Sequence, residues 1–369
     1  MNTFCYPYDA WLASACIPPG KLKSILELYG NSLSIYEAFQ KDRAAFSSVL
    51  SPRFCSLLEG NCNNEFLTEM RRVMNNLSIH VIHFDDPGFP DSLKMIQDSP
   101  AMLFYQGNLN CLNYRILAMV GSRAASCAGQ KATRKLAEKL SSHHISIISG
   151  LATGIDACAH QGCIDGGSPT IAVTGCGLDR IYPLDNEKLR NTILEKQGLI
   201  LSEYNPGVKP AGWHFPFRNR IITGLSSALI LMEAKIRSGS MTSVQHALEQ
   251  GKEVFVYPGE PNSEYYEGNH QLLREGGIYF TTAEDILSDL LWLDNPSAVR
   301  QNSDCSTEKS VSSPAEAAVL RALKEGRLSF EQLIASTAMD PSSLMSTLTI
   351  MQIKNLIEAL PGKHYQLKQ

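Results

Sequence analysis

No two of the ten cysteines stand three positions apart, so the C-x-x-C pairs that signal zinc or dithiol chemistry are missing. Cys5, Cys16, Cys55, Cys62, Cys111, Cys127, Cys158, Cys163, Cys176 and Cys305 are scattered, as reduced cytosolic thiols would be. No apolar run approaches the roughly 18 residues that a membrane-spanning helix needs. The first residues, MNTFCYPYDAWLASACIPPGK, lack a basic start and an uninterrupted apolar stretch, which argues against a signal peptide. The expectation is a soluble, cytoplasmic protein with no membrane partner.

Enzyme signatures are missing too. There is no G-x-x-x-x-G-K-[ST] for a Walker-type phosphate site, no G-x-S-x-G elbow and no H-E-x-x-H zinc motif. GCGLDR (Gly175 to Arg180) has arginine where a dinucleotide fingerprint needs its third glycine. Neither cofactor nor metal is expected. Charge is sparse, at 19% of residues with a net of −4. Nucleic acid could then be held only by a local basic patch.

What is present divides into regions. The chain of 369 residues has room for two or three domains. Residues 1–75 read as a small helical domain, through GKLKSILELYG, SIYEAFQ, SPRFCSLLE and NEFLTEMRRVMNNL. Residues 79–291 alternate short apolar strands (IHVIHF, AMLFYQG, ILAMVGS, ISIISG, TIAVTGCG, LILSEY, ALILMEA, EVFVYPG) with helical stretches. That alternation predicts an α/β fold, a Rossmann-like, doubly wound and mainly parallel sheet. Residues 292–313 are polar and aperiodic, as a linker is. Residues 314–369 read as three helices and a hairpin turning at PGK, the order of a winged helix. Six basic residues there face five acids, too even a balance for a duplex-reading face, so protein contact is the expected role.

In open α/β sheets ligands bind beyond the carboxyl ends of the strands. Four of those ends run into small residues and a helix: Gly121-Ser122-Arg123, Ser149-Gly150 with Gly154, Gly175 with Gly177, and Ser238-Gly239-Ser240. Glycine admits close approach of a ligand, and a helix start offers free N–H groups and a positive dipole. Such turns also need small residues for purely steric reasons. What shifts the balance is charge. Between Pro206 and Met241 five basic residues (Lys209, Arg218, Arg220, Lys235, Arg237) meet one acid, Glu233, a local net of +4. Guanidinium forks suit phosphate oxygens; an ion pair with Glu233 or a solvated face is the plainer reading. Trp213, Phe215 and Phe217 interleave with the charge, either as core or as platforms for unpaired bases. His160 and His214 are read as hydrogen-bonded structure, Asp156 and Asp179 as loop or cap organisers.

These residues resemble a known family, the DprA (Smf) DNA-processing proteins. The resemblance runs from FDDPGFPDSLKMIQDSPAMLFYQGN (84–108) through VGSR, SGLATGIDACAH, TIAVTGCGLDRIYPLDN, LILSEYNPG, FPFRNRIITGLSSALILMEA and SGSMTSVQHALEQGKEVFVYPG to EGNHQLLREGG (267–277). It implies a SAM-like helical domain in front and a winged helix behind. It implies a homodimer that binds incoming single-stranded DNA without catalysis and loads the recombinase RecA in natural transformation. The DNA-contacting arginines map onto Arg123, Arg218 and Arg220, with Gly121, Ser122, Ser149, Gly150, Asn219, Gly239 and Ser240 around them. Thr153 stands where many relatives carry Lys or Arg. Three phosphate contacts would give a slope of log K against log salt of about −2.

Two other readings are open. Phosphoribohydrolases of related fold carry P-G-G-x-G-T, but YPGEPNSEYYEG has Glu260 where the second glycine belongs. The winged helix is the other candidate, as a reader of duplex DNA.

Overall fold

The computed structural model describes residues 6–294, 314–323, 327–337, 339–353, 357–360 and 364–367. Its first helix, α1 (Tyr6–Ala13), is mostly buried: Ala10, Trp11 and Leu12 are inside, and so is its one acid, Asp9, which is bonded to Ser32 and His83. A helix with so little exposed surface belongs inside a bundle, and α1 is wrapped by α2 (Pro19–Tyr29), α3 (Ser32–Lys41), α4 (Arg43–Phe46), α5 (Pro52–Gly60) and α6 (Asn64–Asn76). Trp11 Nε1 donates to Leu58 O at 2.9 Å. Prolines open α2 and α5, and the side chains of Asn31 and Asn63 accept from Ser34 N and Phe66 N to cap α3 and α6. The core is aromatic, with Trp11 edge-on to Tyr36 at 4.9 Å and Phe39 edge-on to Phe46 at 5.2 Å. Deleting one such ring costs about 3–5 kcal/mol. The same cluster continues into Met102, Phe104 and Ile200, so these helices pack on a sheet within one compact unit, Met1–Leu290.

That sheet is built from β1 (His80–His83), β2 (Met102–Gly107), β3 (Arg115–Val120), β4 (Ile145–Ser149), β5 (Ile171–Thr174), β6 (Leu199–Ser202), β7 (Ala228–Leu231), β8 (Glu253–Val256) and β9 (Ile278–Tyr279). Among the described residues the order is β1-β2-β6-β5-β4-β3-β7-β8-β9. β3 to β9 are parallel to one another where they pair, while β2 runs antiparallel to β6 and β1 antiparallel to β2. The central strands are buried except for the half-buried Arg115 at the start of β3, because both faces are covered. Helices α7 (Asp91–Lys94), α8 (Cys127–Ser141), α9 (Ile155–Asp165), α10 (Glu187–Glu195), α11 (His214–Leu225), α12 (Gly239–Glu249), α13 (Glu267–Arg274) and α14 (Ala283–Asp294) connect and cover the strands.

Two features of this sheet place the site. From β3 the chain steps outward through β4, β5 and β6, then returns and steps the other way through β7, β8 and β9. The reversal leaves a crevice between the carboxyl ends of β3 and β7, which pair through Val120 and Leu231. Arg218, Asn219 and Arg220 lie inside α11, whose end is joined to β7 by Ser226 and Ser227.

The second compact unit begins at Leu291. It holds α15 (Pro314–Leu323), β10 (Leu328–Ser329), α16 (Phe330–Thr337), α17 (Pro341–Ile353), β11 (Ile357–Leu360) and β12 (His364–Leu367), with strand order β10-β12-β11. Val319, Leu333, Leu344, Leu348 and Tyr365 form its core. Three helices and a hairpin are as expected; β10 is an addition. The PGK turn and 295–313 of the expected linker lie outside the described residues, and 292–294 continue α14.

Candidate nucleic-acid interface

β3 ends in Gly121-Ser122-Arg123, and this turn is fastened to both neighbours. Ser122 N donates to Glu233 O at 2.7 Å, just beyond β7, and Ile155 N donates to Ser122 O at 3.1 Å, at the head of α9. A Cβ on Gly121 would lie 2.6 Å from Ile155 Cγ1 and 2.9 Å from Glu233 O. Gly154 adopts φ +75, and a Cβ there would stand 2.3 Å from Ser122 O. Glycine at these two positions lets three elements converge.

The crevice holds a cavity of about 710 Å³. Gly121, Ser122 and Arg123 line one side; Lys235, Arg237, Ser238, Gly239 and Ser240 line the other. Phe215, Arg218 and Asn219 of α11 form its floor with Asp156. Arg123 is exposed, its guanidinium 5.2 Å from the centre of the Phe215 ring, and among the described residues no carboxylate pairs with it. Ser238 caps α12, accepting from Ser240 N at 3.2 Å, so that helix directs its N-terminal end at the cavity.

Arg218 is buried yet reaches the cavity. Its Nη1 donates to Gly150 O at 2.9 Å and to Val173 O, and its Nε to Asn219 Oδ1 at 3.2 Å. Burial pulls its pKa down to about 10, with the neighbouring Asp156 opposing, so it is a cation at neutral pH. Burial pushes the Asp156 carboxyl up, while Arg218 and the amides of Gly150 and Ala152 hold it down. Ser149 and Gly150 do not line the cavity. Ser149 Oγ donates to Met119 O at 2.6 Å, and Gly150 holds Arg218 with its carbonyl and Asp156 with its amide.

Arg220 belongs elsewhere, a correction to the expected cluster of three. Side chains two positions apart on a helix point about 200° apart, so Arg218 and Arg220 leave α11 on opposite sides. Arg220 is buried, Nη2 bonding to both Glu203 oxygens at 2.7 and 2.8 Å and Nε to Asp98 O at 3.0 Å. Its guanidinium lies 3.9 Å from the centre of the Phe217 ring. Glu233 pairs with neither arginine. It is fully buried and accepts from Ser126 N and from Ser126 Oγ at 2.6 Å, at the start of α8.

The four small-residue turns divide as well. Those after β3 and β7 border the cavity, and the one after β4 reaches it through Ala152 and Asp156. The one after β5 does not; Gly175 leaves room for Phe215, whose ring a Cβ would approach to 2.9 Å. His160 Nδ1 lies 2.8 Å from Thr170 Oγ1, and burial drives its pKa to about 3. His214 Nδ1 lies 2.9 Å from Gly175 O, and Asp179 Oδ1 accepts from Gly207 N at 2.8 Å. Lys209 lies at a separate surface hollow beside Arg180. Among the described residues no group of His, Cys, Asp and Glu could hold a metal ion, and no helix is long and apolar enough to cross a membrane.

Sequence reasoning missed two aromatics in the cavity wall. Tyr182 stacks on Phe215 at 5.3 Å, and Tyr265 stands on the far side with the Lys235 ammonium 5.2 Å from its ring centre. Tyr182 sits in a loop and Tyr265 in a single 3-10 turn, Glu264–Tyr266, both too short for periodicity to mark a side chain's direction.

Comparison with known proteins adds the family. Residues 80–291 match the family model for DNA recombination-mediator protein A, and residues 306–363 match the DprA winged helix domain. The DNA processing protein DprA of Streptococcus pneumoniae is 44% identical over 204 residues, covering 55% of this chain and 72% of that protein. The crystal structure of the S. pneumoniae protein superimposes with a TM-score of 0.64 at 33% identity, covering 76% of this chain and 95% of that one. A structure of DNA processing protein A from Helicobacter pylori, described for its single-stranded DNA binding mode, gives a TM-score of 0.53 at 29% identity over 58% of this chain and 96% of that one. With more than half of its length matched by the family model, the chain belongs to the DNA recombination-mediator protein A family, DprA.

Proposed function

We propose that this protein binds single-stranded DNA, without catalysis, in the cavity between the ends of β3 and β7. The observation that carries the reading is the convergence there of Arg123, Arg218 and the N-terminus of α12 on one cavity floored by Phe215. Cations and helix-start amides suit phosphates, and aromatic faces suit unpaired bases. The DNA-binding relative from H. pylori supports the same reading. Two phosphate contacts give a salt slope of about −1.4, and each further cation adds about −0.7. Binding by one cavity is therefore modest, and a homodimer in which one strand spans two cavities raises the apparent affinity by about 10²–10⁴. As part of the same proposal, the protein protects incoming strands and loads RecA in the cytoplasm, a reading that membership of the family supports.

The decisive test is Arg123→Ala. Its side chain is exposed, so the fold is retained, and binding of oligo-dT should fall at least tenfold. Unchanged binding would remove the reading. The phosphoribohydrolase alternative is checked by incubation with AMP and assay for free adenine. Deletion of residues 310–369 separates the cavity from a duplex-reading winged helix.

A further inference from the structure

The loops that follow β5 and β6 leave the sheet at the same edge as the first cavity, because β3 to β9 run parallel. Between them lies the open hollow that holds Lys209, about 510 Å³ in volume and lined by Asp179, Arg180, Ile181, Leu184, Lys209 and Pro210. Pro210 also lines the first cavity. Tyr182, between Arg180 and Leu184 in the chain, stands in the wall of that cavity. The two recesses therefore share one lip, made by Tyr182 and Pro210.

Charge in the hollow is set by a clamp between the two loops. Asp179 is the one carboxylate in the lining, and both of its oxygens are engaged. Oδ1 accepts from Gly207 N at 2.8 Å, and Oδ2 lies 3.2 Å from Arg180 Nε. Gly177 N donates to Val208 O at 3.0 Å, a second tie between the same loops. Lys209 follows directly on Val208, is exposed, and has no ion-pair partner among the described residues. The lining thus carries two cations, Arg180 and Lys209, against one occupied carboxylate. Apolar surface lies beside them: Leu184 is 73% exposed and Tyr182 44%. The Tyr182 ring is backed by Phe215 at 5.3 Å, and Phe215 in turn neighbours the Arg123 guanidinium. Cations alternating with exposed apolar and aromatic surface suit the phosphates and unpaired bases of a single strand. A duplex keeps its base faces stacked inside, and a free phosphate gains nothing from Tyr182 or Leu184.

We propose that a single strand held in the first cavity leaves it over the lip of Tyr182 and Pro210, stacks a base on the open face of Tyr182, and sets its next phosphates on Lys209 and Arg180. This assignment rests on the single-strand reading above and deepens it. The strand then crosses the sheet edge from the ends of β3 and β7, past β4, to the ends of β5 and β6, and its footprint exceeds one cavity.

The full chain is titrated with labelled oligo-dT of about 4 and about 16 nucleotides, the range of single-strand site sizes. Lys209→Ala and Arg180→Ala each remove an exposed side chain, and thermal unfolding confirms that both variants fold. With the long oligonucleotide each should flatten the slope of log K against log salt by about 0.7, and the double variant by about 1.4. The short oligonucleotide, held by the first cavity, keeps its slope. Tyr182→Leu retains an apolar contact with Phe215 and should bind the long strand about 5- to 100-fold more weakly. Acetylation of Lys209 in the unaltered protein should be suppressed by the long oligonucleotide and not by the short one. Lys196, exposed at the end of α10 on the opposite edge of the sheet, should be modified equally throughout. Unchanged long-strand slopes in the single and double variants, or Lys209 acetylated equally with and without the long strand, overturn the proposal, and an acidic protein surface is then the partner to test. Unchanged affinity in Tyr182→Leu overturns the stacking and with it the path over the lip. Flattened slopes for both lengths overturn it too, since the hollow would then belong to the first site. Failure of the underlying reading shows separately, as undiminished binding by Arg123→Ala.

Discussion

Arg218 and Arg220 stand two residues apart and point away from each other: the first donates to Gly150 O beneath the cavity, the second to Glu203 on the far side of α11. A pair that reads as one basic feature is therefore two features with different work. One presents charge to the site; the other neutralises a buried carboxylate.

Arg220→Ala separates these roles. It leaves Glu203 buried without its cation, which costs about 3–5 kcal/mol. Urea unfolding should show that loss, while the folded fraction binds oligo-dT as before. A folded variant that no longer binds would return Arg220 to the interface.

Gly154→Ala tests how Arg123 is positioned. The new methyl would lie 2.3 Å from Ser122 O and 2.6 Å from Arg123 O at a positive φ. Relief of that overlap moves the Gly121–Arg123 turn, and overpacking of this kind costs about 1–3 kcal/mol. Stability and oligo-dT affinity should fall together, although residue 154 need touch no DNA. Weakened stability with unaltered affinity would show that the turn's position is immaterial.

Thr153→Lys adds a cation at the position where the family resemblance implies one. Thr153 Oγ1 donates to Arg123 O at 3.3 Å, which places this residue beside the Arg123 backbone. The variant should bind more tightly at low salt, with a salt slope steeper by about 0.7. A slope equal to that of the unaltered protein would place position 153 off the strand's path.

Two histidines give stability opposite dependences on pH. Burial lowers the His83 pKa, but Asp9 at 3.0 Å and Asp86 at 3.5 Å outweigh it and raise the value. A raised pKa adds stability that is full below the unfolded value near 6.5 and is lost as pH rises through the folded value. His160, buried and depressed to about 3, contributes stability above 6.5 that is lost as pH falls toward 3. His83→Gln should therefore lose stability mainly on the acidic side of neutrality, measured by urea unfolding at pH 6 and pH 8. An equal loss at both pH values would mean that Asp9 holds His83 without a proton.

Much of this could be read from residue order. Apolar runs such as ILAMV and ALIL are strands because continuous burial on both faces leaves no room for polar alternation. Glycine and serine after β3 and β7 marked the edge where the cavity lies, since a tight strand-to-helix turn needs them. The helix α1 escaped notice because a segment so nearly buried carries no amphipathic stripe. α11 escaped because buried arginines interrupt its apolar face where a strand reading expects a solvated turn.

The sequence alone determined the alternation of elements, the local excess of positive charge and the identity of the groups able to hold phosphate, because these depend on neighbours along the chain. Only the tertiary structure decided which cations share a cavity. That choice turns on helix phase and strand order: α11 sends Arg218 and Arg220 to opposite sides, and the reversal at β3 sets Arg123 across from Ser238, Gly239 and Ser240, more than a hundred residues away along the chain.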